Sequence, residues 1–92
     1  MMVCTVRCPQ IKIVDLGLSR FFEDGQPMRM VCGTPRYLAP EVVLCDRGKL
    51  QGYDNSIDMW GVGLIAFIML CNSNPFRRES PLKTYDAIAR CE

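Results

Sequence analysis

The residue pattern predicts an α+β chain, mainly helical, with one short β-hairpin near its start. Three observations carry this. Residues 57–71 read Ile-Asp-Met-Trp-Gly-Val-Gly-Leu-Ile-Ala-Phe-Ile-Met-Leu-Cys, a run that is apolar nearly all round apart from Asp58. Residues 11–16 interleave Ile11, Ile13 and Leu16 with Lys12 and Asp15, and a tight Asp-Leu-Gly turn leads into a second strand-like stretch, 18–22. Pro40 and Pro81 each open a short helical stretch, and proline is favoured at a first helical position because its missing N–H would have no partner there.

The elements follow in order. Gly25, Gln26 and Pro27 mark an irregular loop. A short helix fits residues 40–44, and the polar stretch Asp46-Arg47-Gly48-Lys49 ends it. The next helix, 57–71, is capped by Asn55 or Ser56 and carries Asp58 in its first turn, where an acid meets the positive end of the helix dipole. A helix without a polar face must be enclosed, and the apolar residues after Asp58 fall short of the ~20 that span a bilayer, so the reading is a buried core helix. The last helix starts with Ser80 as cap and Pro81 at its first position. It shows a Leu82, Tyr85, Ile88 stripe and an Asp86, Arg90 pair at i,i+4 spacing.

Composition narrows the function classes. The chain is 49% hydrophobic and 23% charged with a net charge of +1, and it has no charge run to recruit nucleic acid or an anionic membrane. At 92 residues it lies near the lower end for a self-sufficient core. The cysteines at 4, 8, 32, 45, 71 and 91 form no C-x-x-C pair, and with no histidine in the sequence they make a poor zinc set. No signal peptide or N-glycosylation sequon suggests an extracellular disulfide framework. Reduced thiols in an intracellular protein, cytoplasmic or nuclear, are expected.

Asp15-Leu16-Gly17 and Ala39-Pro40-Glu41 bracket a segment whose spacing resembles the protein-kinase activation segment, from D-x-G to A-P-E. Gly33-Thr34, Asp58-Met59-Trp60-Gly61-Val62-Gly63 and Asn74-Pro75-Phe76 resemble further landmarks of the same large lobe, in the same order. Residues 28–42 look like the calcium/calmodulin-dependent kinase group, nearest the checkpoint kinases that carry a forkhead-associated domain. The resemblance implies a partial kinase-like α+β fold over residues 11–92, truncated at both ends, with residues 1–10 unmatched and the β-hairpin sitting at the D-L-G turn.

What the resemblance implies for single residues can be set beside simpler roles. Asp15 would hold the magnesium that bridges nucleotide phosphates; otherwise it is a turn residue at a strand end. Leu16 replaces the family's usual Phe and keeps an apolar contact. Gly33, Thr34, Pro35, Tyr37 and Leu38 would form the substrate-side loop, Thr34 bonding the catalytic Asp and Lys, and Glu41 would pair with an Arg near the domain's C-terminal end. Asp58 would hold the catalytic loop, and Trp60 and Gly63 would be structural. Arg77-Arg78-Glu79-Ser80 has the spacing of a basophilic phosphorylation site, although helix capping alone explains Ser80.

The kinase catalytic loop, H-R-D-L-x-x-x-N, precedes the D-F-G turn in this family, and residues 1–14 contain no His, Asp or Asn. No catalytic residue is therefore expected in this chain, nor the Gly-rich loop or strand Lys. ATP and magnesium belong to the complete parent and should not bind this chain tightly. The segment 15–41 offers only Ser19, Thr34 and Tyr37 as hydroxyls, with Met30 where related kinases place a phosphorylatable Thr; Glu23 and Asp24 could supply fixed charge. The leading reading is an inactive piece of an ATP-dependent Ser/Thr kinase. The alternative is a non-catalytic kinase-like module that binds a protein substrate or a partner kinase, with neither nucleic acid nor membrane involved.

Overall fold

The computed structural model describes residues 2–5 and 8–92, the first of these and residues 8 and 9 by their backbone alone. Strands β1 (Met2–Thr5) and β2 (Cys8–Ile13) pair antiparallel in the register Met2↔Ile13, Val3↔Lys12, Cys4↔Ile11, with a bulge between Cys4 and Thr5. Helices α1 (Pro40–Asp46), α2 (Ile57–Cys71) and α3 (Pro81–Arg90) follow, with a 3₁₀ turn at Pro35–Tyr37 ahead of α1.

The hairpin thus lies before the Asp-Leu-Gly turn and not across it, which corrects the sequence expectation. A strand needs a neighbour for its amides, and β2 finds one in β1. The line drawn at residue 10 falls inside β2. Beyond β2, Asp15 adopts a left-handed backbone (φ 64°) and the Ser19 N–H donates to the Leu16 carbonyl at 3.0 Å, so the chain turns without starting a strand at 18–22.

The core sits where α3 meets α1 and the 3₁₀ turn. Leu38, Ala39, Val42, Val43 and Ile88 form it, with Val31, Tyr53, Ile57, Trp60 and Phe76 packed at its edge. Pro40 takes the first position of α1, and the Ala39 carbonyl accepts the amides of Val42 and Val43, so this helix starts without a side-chain cap. In α3, Ser80 caps as expected, its hydroxyl accepting from the Lys83 N–H at 3.3 Å. The buried face of α3 is Thr84, Ala87 and Ile88, whereas Leu82 is 69% exposed and drops out of the expected stripe. Thr84 can be buried because its hydroxyl accepts the Arg78 N–H at 3.1 Å. Asp86 does not pair along the helix with Arg90; it reaches Arg47 at the end of α1, Nη2 to Oδ1 2.6 Å.

Helix α2 is only partly enclosed. Leu64 is its one buried residue, while Met69 and Leu70 are 75% and 87% exposed and Met59 and Val62 also face outward. Its start departs from the expected side-chain cap. Ser56 is itself helical and turns its hydroxyl and N–H onto the Asp54 carboxylate, leaving the Asn55 and Ser56 carbonyls to take the Asp58, Met59 and Trp60 amides. Trp60 stacks at a tilt on Phe76, centroids 5.3 Å apart, and its buried indole N–H has no acceptor among the described residues. A Cβ at Gly63 would meet nothing within 4 Å, so close packing there is not what asks for glycine. No described helix is long and apolar enough to cross a membrane.

Candidate functional site

Residues far apart in the sequence share one cleft of about 440 Å³. Its walls include Asp15 and Ser19 from the Asp-Leu-Gly turn, Gly33, Thr34, Tyr37 and Leu38 from the loop before α1, and Asp58 from the first turn of α2. Each wall is set locally. Asp15 is exposed and sits in a left-handed backbone, a conformation that Asp tolerates better than most residues. Gly33 lies at φ 120°, and a Cβ there would come 3.1 Å from the Leu38 side chain, so glycine answers both to the backbone and to a close approach.

Thr34 is extended (φ −75°, ψ 124°), the geometry that a following proline imposes, and its carbonyl receives the Tyr37 N–H at 3.0 Å. Leu38 is buried in the core while also lining the cleft, so the loop is anchored at one end by burial. Tyr37 remains exposed. The far side of this loop is held by a residue whose role the sequence reading did not find. Asn74 donates its Nδ2 to the Arg36 carbonyl at 3.1 Å and accepts the Phe76 N–H at 2.9 Å, tying the turn after α2 to the loop. An Asn two residues before an amide it can bond was the available signal, since that spacing defines an Asx turn.

Not every expected residue reaches the cleft. Leu16, Gly17, Pro35, Pro40, Glu41, Trp60 and Gly63 lie outside its walls. The ion pairs among the described residues, Arg47–Asp86 and Glu79–Lys83, do not include Glu41. Glu23 accepts from the Gln26 side chain at 3.0 Å, a local contact within its own turn. Cys32, Cys45, Cys71 and Cys91 are free, the first two half-buried. Burial, reinforced by the Cys32 and Cys45 thiols and opposed by Arg20, pushes the Tyr53 hydroxyl above its ordinary range.

No group of three His, Cys, Asp or Glu side chains among the described residues could hold a metal by itself. Asp15 nevertheless fits one ligand position of magnesium, which takes hard oxygens, uses one or two protein carboxylates and draws the rest from phosphates and water.

A D-x-G turn, the loop 33–38 and the acid in the first turn of α2 thus converge on one cleft. The profile of the protein kinase domain matches residues 2–92, and the chain belongs to that family. Among curated relatives, a probable myosin light chain kinase of Dictyostelium discoideum is 39% identical over 82 residues, covering 89% of this chain and 20% of its own length. The probable serine/threonine-protein kinase fhkC of the same organism is 46% identical over 66 residues, 72% of this chain and 11% of that protein. The calcium/calmodulin-dependent protein kinase type I of Schizosaccharomyces pombe is 41% identical over 78 residues, 83% of this chain and 22% of that protein. The chain therefore spans from about a tenth to about a fifth of the length of these relatives. It is a fragment of a serine/threonine kinase domain of the calcium/calmodulin-dependent group.

Proposed function

We propose that this chain supplies the substrate-side half of the active cleft in a protein that transfers the γ-phosphoryl of ATP to Ser or Thr of a protein substrate. The observation that carries this is the meeting of Asp15, Thr34, Tyr37 and Asp58 in one cleft, from positions as far apart as 15 and 58. Asp15 would hold magnesium, and the magnesium would neutralise charge developing on the transferred phosphoryl. The loop 33–38 would seat the residues around the phosphoacceptor, with Gly33 and Leu38 keeping its shape. Asp58, which lines the cleft from the first turn of α2, would accept backbone N–H bonds from a catalytic loop laid over it. The scattered free thiols favour a reducing, intracellular setting, and the 28–42 pattern favours the checkpoint-type branch of the group.

Radiolabelled ATP and a basophilic peptide, offered to the full-length protein, test this. Transfer that is lost in Asp15→Ala and strongly reduced in Thr34→Ala is expected. Transfer that survives Asp15→Ala would overturn the assignment of Asp15. A second reading, a non-catalytic binding module, draws on the exposed apolar face of α2; full-length protein without transfer activity that still binds a partner kinase would favour it. Ser80, beside Arg77 and Arg78, is proposed as a phosphorylation site as well as a cap.

A further inference from the structure

Three successive carbonyls of the activation segment, those of Met28, Arg29 and Met30, all receive a donor from α1 or from the loop that follows it. The Met28 carbonyl accepts the Tyr53 N–H at 2.8 Å, and the Met28 N–H returns the bond to the Tyr53 carbonyl at 2.8 Å. The Arg29 carbonyl faces the Cys45 thiol at 4.0 Å, and the Met30 carbonyl accepts the Tyr53 hydroxyl. Tyr53 thus grips the segment twice, by its backbone at residue 28 and by its phenol at residue 30.

Gly52 makes the grip possible. A Cβ at that position would lie 2.6 Å from the Pro27 Cβ and 2.8 Å from the Met28 carbonyl oxygen, distances that no side chain can occupy. The two segments approach closely only because residue 52 has no side chain. Immediately downstream, half-buried Val31 packs on the core, and Gly33 and Thr34 enter the cleft.

We propose that Tyr53, seated by Gly52, is a positioning residue that clamps Met28–Met30 and so fixes the cleft-facing loop 33–38 without a phosphate. A phosphate orders such a segment by placing charge opposite Arg, and position 30 here is Met, with no hydroxyl to modify. Neutral hydrogen bonds from Tyr53 hold the same stretch. The clamp stands on its own geometry, and its catalytic consequence rests on the kinase reading above.

Hydrogen exchange by mass spectrometry on the full-length protein, wild type against Tyr53→Phe and Gly52→Ala, tests the clamp. Loss of one neutral hydrogen bond corresponds to about a two- to tenfold change in a local opening equilibrium. Amides of residues 28–34 should exchange faster by about that factor in Tyr53→Phe and by at least as much in Gly52→Ala, while amides of α3 keep their rates. Equal acceleration in α3, or none in 28–34, overturns the clamp. In the same variants the KM for peptide should rise about threefold or more with the KM for ATP unchanged, since only the substrate side is loosened. A loss confined to kcat, or equal rises in both KM values, overturns the positioning role. Absence of transfer in the wild type would refute the kinase reading, and the exchange result would still decide the clamp.

Discussion

Replacing Ile88 by Ala should weaken the chain more than any other change in α3. Ile88 is fully buried among Leu38, Val42 and Val43, so the substitution removes three carbons from the centre of the core. At ~0.8 kcal/mol per buried carbon the transfer loss alone is about 2.4 kcal/mol. The cavity left behind adds to it, giving roughly 3–5 kcal/mol in a site that cannot fully collapse. Leu82 lies on the same helix, also apolar but 69% exposed, and Leu82→Ala should cost less than ~0.5 kcal/mol. The contrast is read as urea midpoints by circular dichroism, with an osmolyte present because a small core leaves little margin. Where Ile88→Ala abolishes the transition altogether, Ile88→Val, expected at ~0.5–1.5 kcal/mol, retains a measurable one. Equal losses for Ile88→Val and Leu82→Ala would refute the docking of α3 onto α1 and, with it, the account of how the loop 33–38 is anchored.

Gly33→Ala should strain the loop by about 1–3 kcal/mol, because it forces an L side chain to φ 120° and against Leu38; faster exchange at the Tyr37 and Leu38 amides checks it. The 92-residue chain by itself should self-associate through the exposed face of α2, and analytical ultracentrifugation showing a stable monomer across a wide concentration range would contradict this. Bonds from the Ser56 hydroxyl, then from its backbone N–H, hold the Asp54 carboxyl below its ordinary range. A depressed carboxylate stabilises the fold above its unfolded pKa and loses that contribution as pH falls through its folded value. The urea midpoint should therefore decline below about pH 4, and Asp54→Ala should decline less.

Part of the cleft is legible in the amino-acid sequence. The D-x-G and A-P-E marks bracket a segment of defined length, Pro40 and Pro81 announce helix starts, and Thr34 before Pro35 signals extended backbone. These are local signals, decided by the covalent geometry of a few neighbouring residues. The hairpin was misplaced for the complementary reason. Strand pairing depends on which segment supplies a partner edge, and β2 could as well have paired forward as backward. The Asp86 ion pair was misassigned because helical spacing shows which charges are near one another on one helix, whereas Arg47 arrives from another element.

The amino-acid sequence by itself determined the family, the helices, the cap at Ser80 and several of the residues that line the cleft, among them Asp15, Thr34 and Asp58. Tertiary structure alone decided that Asp15, Thr34 and Asp58 share a cleft, that Asn74 holds Arg36, and that Tyr53 grips the activation segment across a glycine. The first set follows from preferences within a helical turn or a proline's reach along the chain. The second depends on residues 19 to 43 positions apart being brought together, which happens only when burial of Leu38, Val43 and Ile88 docks their elements.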